Sequence, residues 1–185
     1  MKLLIIEGCI GSGKSTLANE LREKMKHAQL LSLSSLDSTK YVFREDDQYL
    51  FFHETVLEFC RRNLGNSNII LCRSYLSDYI YYKLNHKPSD YEGELNYKIL
   101  SGKLKELTEI ATVEIIILIT NEEELKTRLN RDKFQLIEHT VEEAIAQQEE
   151  YLKVGEDLKQ KGFNVRIIDN STSTVDEVVD MVMKG

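Results

Sequence analysis

The residues Gly8, Cys9, Ile10, Gly11, Ser12, Gly13, Lys14 and Ser15 fit the pattern GxxxxGK[ST] and directly follow the apolar run Leu3–Ile6. No other stretch constrains the fold as tightly. Glycines at these positions let a loop wrap closely, so that successive backbone N–H groups turn onto phosphate oxygens with no Cβ in the way. Lys14 then supplies a mobile cation, and the Ser15 hydroxyl is placed to ligate Mg²⁺. From Lys14 to about Lys26, Leu17, Leu21 and Met25 recur at helical spacing. The loop therefore empties into a helix N-terminus, whose dipole favours anions.

The rest of the chain supplies the sheet that such a loop needs. Five apolar runs read as strands: Leu3–Ile6, Leu30–Leu33, Asn68–Leu71, Val113–Ile119 and Phe163–Ile168. Between them, Gln48–Leu64, Tyr75–Leu84, Leu95–Ile110, Glu122–Arg131, Val141–Lys161 and Val175–Met183 carry apolar residues at i, i+3, i+4 spacing. Strands without polar alternation, Glu114–Ile119 above all, are those buried on both faces of a parallel sheet. Alternating strands and helices imply an α/β sandwich of three layers. Thr120 and Asn121 can cap a helix opening with three glutamates, and Gly65 and Gly162 fall where helices stop. Asn85–Gly93, with the only proline, reads as a loop. In such sheets ligands sit beyond the carboxyl ends of the strands.

A chain of 185 residues is expected to form one domain. A net charge of −7 argues against a nucleic acid polymer as partner and points to small anions met by local clusters of Arg and Lys. The apolar start is too short for a signal peptide or a membrane span, so a cytoplasmic protein is expected. Three cysteines without CxxC spacing indicate neither a disulfide framework nor a zinc site, and Cys60 reads as a buried thiol.

Two further stretches carry a family resemblance. Glu7-Gly8-Cys9-Ile10-Gly11-Ser12-Gly13-Lys14-Ser15-Thr16 resembles the deoxynucleoside kinase form EGNIGSGKST with one change. Arg73-Ser74-x-x-Ser77 resembles ERSxxS of nucleoside kinases, and Arg73-x-x-x-Ser77-x-x-Ile80-Tyr81 resembles DRxxxSxxAY of thymidylate kinases. The chain thus resembles the P-loop thymidylate kinase and deoxynucleoside kinase superfamily. That resemblance implies a P-loop NTPase fold with strand order 2-3-1-4-5 and ATP with Mg²⁺ as phosphoryl donor. Gly8, Gly11, Ser12, Gly13, Lys14, Ser15 and Thr16 would bind the donor phosphates. Arg73, with Ser77, Tyr81, Arg44 and His53, would meet the acceptor. Arg128 and Arg131, in a lid of about residues 126–139, would close over the transferring group. The loop after the fifth strand, around Asp169-Asn170-Ser171, would lie against adenine. Similar kinases often form homodimers.

The pattern also breaks. The superfamily places Asp or Glu just before the arginine equated with Arg73, and here it is Cys72, a poor ligand for a hard cation. Asp37, beyond the second strand, is the leading substitute, with Asp78 and Glu7 as weaker ones and Glu7 better suited to a structural role. The helix Gln48–Leu64 offers Gln48, His53, Glu54, Arg61 and Arg62 but no arginine in its middle for an acceptor phosphate. Cys9 and Cys72, placed at one edge of the phosphate site near Lys14 and Arg73, would tend toward lower pKa, and their oxidation could close the site. Three readings result: a kinase of deoxynucleoside 5′-monophosphates, thymidylate-like; a kinase of the free nucleoside; and a nucleotide-binding regulator without catalysis. No NKxD stretch supports a GTPase.

Overall fold

The computed structural model describes residues 1–33, 46–85, 91–131 and 139–184. Five parallel strands, β1 (Lys2–Gly8), β2 (Ala28–Ser32), β3 (Asn68–Cys72), β4 (Thr112–Ile119) and β5 (Asn164–Asp169), form one sheet in the order β2-β3-β1-β4-β5. Helices α1 (Lys14–Lys24), α2 (Asp46–Asn63), α3 (Tyr75–Asn85), α4 (Tyr91–Leu107), α5 (Glu122–Arg131), α6 (Val141–Gln160) and α7 (Val175–Lys184) connect and flank it.

Alternation along the central strand divides these helices between two faces. Leu3 and Ile5 pack with α2, α3, α4 and α6 in one core, while Leu4 and Ile6 pack with α1 and α7 in the other. Both faces of β1 are dry, which explains its uninterrupted apolar run. Each fully buried aliphatic side chain contributes roughly 2 kcal/mol. Burial continues into the last two residues of the strand, Glu7 and Gly8, so the glycine loop departs directly from the sheet.

One buried charge interrupts β4. Glu114, 1% exposed, receives Lys2 Nζ from β1 at 2.9 Å and Arg166 Nη1 from β5 at 3.0 Å. Three neighbouring strands, β1, β4 and the edge strand β5, are thereby pinned together at the end remote from the glycine loop.

The structure corrects the sequence reading at one boundary. Helix α4 begins at Tyr91, inside the expected loop Asn85–Gly93. Glu92 and Glu94 in its first turn complement the dipole, and Gly93 lets it approach α3, since a Cβ there would come within 2.4 Å of the Tyr82 ring. Among the described residues no helix is long and apolar enough to cross a membrane.

Candidate active site

The carboxyl ends of β1, β3, β4 and β5 bring the loop 8–15, Arg73, Thr120 and Asn170 to one edge of the sheet. The loop is shaped by backbone conformation. Gly8, Gly11 and Gly13 have φ of 146°, 75° and 88°, where L side chains are strained. At Gly8 there is no room either: a Cβ would lie 2.5 Å from the Leu118 carbonyl oxygen and 2.7 Å from Ser12 Oγ. Gly13 is the N-cap of α1 and offers no side-chain acceptor, and the first turn of α1 contains no acidic residue. By contrast α6 carries a capping box from Thr140 and Glu143. The first N–H groups of α1, from Lys14 through Thr16, are thus left for an external anion.

Lys14 is only 4% exposed, and its Nζ donates to Gly8 O at 2.7 Å and Cys9 O at 2.6 Å. Burial, reinforced by the Arg73 charge, brings its pKa down to about 7. Ser12 Oγ is buried and has no hydrogen-bond partner among the described residues. Ser15 and Thr16 are exposed on the first turn of α1, and the Ser15 and Ser32 hydroxyls contact the Cys72 thiol. Among the described residues no cluster of His, Cys, Asp or Glu could hold a metal ion by itself. One hydroxyl from the protein, with the remaining positions left to phosphates and water, fits the way Mg²⁺ accompanies a nucleotide.

On the acceptor side, Arg73 leaves β3 in the left-handed region, φ 67°, with its N–H bonded to Ile6 O at 3.0 Å. A left-handed arginine costs on the order of 1 kcal/mol and is sustained by what surrounds it. The surroundings are Glu7 and the two serines of the arginine motif. Ser74 Oγ donates to Glu7 Oε1 at 2.6 Å, Ser77 Oγ to Glu7 Oε2 at 2.7 Å, and Tyr151 OH from α6 to Glu7 Oε2 at 3.1 Å. Burial raises the Glu7 pKa, against the lowering influence of these hydroxyls and of Lys14. Ser77, expected at the acceptor, spends its hydroxyl on Glu7.

The other acceptor candidates separate. His53 is 2% exposed and packs edge-on against Tyr49 and Phe52, with Nε2 2.7 Å from Asp78 Oδ2. It belongs to the α2–α3 contact. Tyr81 is 47% exposed. Arg61 and Arg62 both bind Glu58 on the solvent face of α2, and Glu54 pairs with Lys103. Asp37 and Arg44 lie outside the described residues, as does half of the expected lid, residues 132–138.

The two lid arginines have different surroundings. Arg131 stands exposed at the end of α5. Arg128, instead of reaching over the site, is held down beside the loop. Its Nε binds Glu124 at 2.8 Å, its Nη2 binds Asn170 O at 3.0 Å, and its Nη1 reaches Asn170 Oδ1 at 3.2 Å and Gly11 O at 3.4 Å. The sequence reading missed the polar clamp to which it belongs. Asn170 Nδ2 donates to Ser12 O at 2.7 Å, Thr120 Oγ1 donates to Asn170 Oδ1 at 2.7 Å, Gln147 accepts from Ile10 N at 3.0 Å, and Gln148 accepts from Thr120 N at 2.8 Å. Thr120 and Asn170 could have been found as the residues just after β4 and β5. The two glutamines carry no such mark.

The thiols also depart from expectation. Cys9 packs with Leu125 and Ala144, and Cys72 packs with Leu17 in the α1 core, so they do not form a pair. Both are fully buried, and burial raises both pKa values, outweighing the Lys14 charge. Neither is an activated thiolate.

The fold recurs in solved structures. A thymidylate kinase from Candida albicans superposes with a TM-score of 0.65 at 20% identity, covering 98% of this chain and 89% of that one. The deoxyadenosine kinase of M. mycoides, solved with dCMP and dCDP, gives 0.60 at 18% identity over 100% and 97% of the two chains. The YorR protein of Bacillus subtilis, in complex with phosphorylated GDP, gives 0.67 at 18% over 98% and 94%. The chain has the fold of the P-loop nucleoside and nucleotide kinases. The strand order 2-3-1-4-5 implied by the sequence resemblance is the one observed. No protein-family model and no curated protein matches the chain at the sequence level.

Proposed function

We propose that the chain transfers the γ-phosphoryl group of ATP to a nucleoside 5′-monophosphate, a deoxynucleoside monophosphate of the thymidylate kind being the favoured acceptor. The observation that carries this reading is the convergence at one sheet edge of a glycine loop, a buried Lys14 and the left-handed Arg73, whose charge is felt at Lys14. The loop N–H groups and Lys14 hold the donor phosphates. Ser15 would contribute an oxygen to the Mg²⁺ accompanying ATP, which would supply charge neutralisation at the phosphates. Arg73 presents a planar fork of donors to the acceptor phosphate and sets it in line. Arg131, exposed at the end of α5, is the guanidinium expected to close from the lid side.

A monophosphate suits the site better than a hydroxyl acceptor for a chemical reason. A free 5′-hydroxyl must lose a proton to a base, whereas a phosphate arrives ionised. The carboxylate whose charge acts on Lys14 is Glu7, and its oxygens already accept from Ser74, Ser77 and Tyr151. Cys72 cannot substitute as a base, its thiol being buried and raised in pKa.

A coupled ADP-release assay against a panel of nucleosides and 5′-monophosphates tests this. Turnover with a deoxynucleoside monophosphate is expected. Turnover with free nucleosides alone would transfer the base role to Asp37. ATP binding without turnover on any acceptor would favour a regulator.

A further inference from the structure

Asn170 follows β5 and is 7% exposed. Its backbone is fixed to β4 through Asn170 N to Ile119 O at 3.0 Å, and its own carbonyl accepts from Arg128 Nη2 at 3.0 Å. The orientation of its amide is dictated chemically. Arginine can only donate, so the atom 3.2 Å from Arg128 Nη1 must be the oxygen, and Thr120 Oγ1 donates to the same atom at 2.7 Å. The nitrogen is thereby aimed at the phosphate loop, where Nδ2 donates to Ser12 O at 2.7 Å.

That bond has a directional consequence. In a trans peptide the C=O and the following N–H point opposite ways. A Ser12 carbonyl held against Asn170 turns the Gly13 N–H away from Asn170. No acceptor for that N–H is present among the described residues. The left-handed Gly13, φ 88°, allows this turn, and a Cβ built there would sit 3.5 Å from Asn170 Nδ2, so the amide is packed against the very peptide it orients. Gly11 is treated alike, its carbonyl lying 3.4 Å from Arg128 Nη1.

We propose that Asn170 is a positioning residue of the phosphate loop, which sets the Ser12–Gly13 peptide with its N–H toward the phosphate chain of the nucleotide. The role rests on the reading of this loop as a phosphate site and differs from contact with a base. An aspartate at this position would keep the Thr120 and Arg128 bonds but would set an acceptor against Ser12 O.

The test is calorimetric titration of the full chain with Mg·ATP, Mg·GTP and tripolyphosphate, comparing wild type with Asn170→Asp. All three are expected to lose affinity by the same factor, about 10-fold or more, with the melting temperature and the acceptor affinity near those of wild type. Loss for ATP with tripolyphosphate binding unchanged would overturn the proposal and put Asn170 at the base. Unchanged binding of all three would overturn it as well. Should Asn170→Asp fail to fold, Asn170→Ser serves, since its hydroxyl is too short to reach Ser12 O and adds no charge. A wild type that binds neither ATP nor tripolyphosphate would instead defeat the phosphate-site reading itself.

Discussion

The proposed donor and acceptor halves of the site meet at Lys14, yet they are built differently. The donor half is a matter of backbone: three glycines at positive φ, an uncapped helix start, and carbonyls of Gly11 and Ser12 drawn outward by Arg128 and Asn170. The acceptor half is made of side chains from β1, β3, α3 and α6 gathered on one buried carboxylate, Glu7. A backbone-built site is stiff and indifferent to what it holds beyond the phosphates. A side-chain-built site can be re-specified by single substitutions.

If that division is correct, Arg73→Ala separates the halves most sharply. We expect kcat/KM for the acceptor to fall about 1,000-fold, near 4 kcal/mol of transition-state stabilisation, while ATP affinity measured by titration is almost unchanged. An equal loss of ATP binding would mean that the halves are not independent.

Lys14→Met probes the cost of preparing the donor half. The folded pKa of Lys14, about 7, lies below its ordinary 10.5. Between these values the unfolded chain binds more protons, so the destabilisation from a buried ammonium is complete below pH 7 and fades toward pH 10.5. The ligand-free variant is therefore expected to melt higher than wild type at pH 6, by about 3 to 10 °C, with the gap closing as pH rises. Arg73, Glu7, Cys9 and Cys72 all face this ammonium, and repeating the comparison in Arg73→Ala should shrink the gap. A variant that melts lower at pH 6 would refute the idea of a charged group held at a cost.

The smallest effect is expected at the thiols. Cys9, Cys60 and Cys72 are each 0% exposed, and burial raises all three, Cys60 to about 12. Diamide or an aromatic disulfide should modify none of them in the folded protein and leave nucleotide binding unaltered. Rapid labelling of one thiol per chain would show that one flank of the loop opens.

How much of this was legible in the sequence follows the same division. Glycines at fixed spacing announce a backbone conformation, so Gly8, Gly11, Gly13 and Lys14 could be read before any fold was known. The strand order followed from resemblance, and β4 from the apolar run Ile115–Ile119. Contacts between distant segments left little trace. Gln147 and Gln148 look like two polar residues on a long helix, although one meets Ile10 N and the other Thr120 N. His53 stood on a face where a lone histidine is more often packed than catalytic, and the Asp78 bond and the surrounding rings place it in the packing. Arg128 had the right spacing for a lid, but spacing says nothing about which carbonyls a guanidinium will find.

The ion triad at the opposite end of the sheet bears on how this edge is assembled. Glu114 meets Lys2 and Arg166 only when β1, β4 and β5 are correctly aligned. A slip of one residue would flip the carboxylate to the other face and strand it, at about 3 to 5 kcal/mol. Glu114 thus penalises misregistered sheets, in which Gly8, Thr120 and Asn170 would stand at unequal heights.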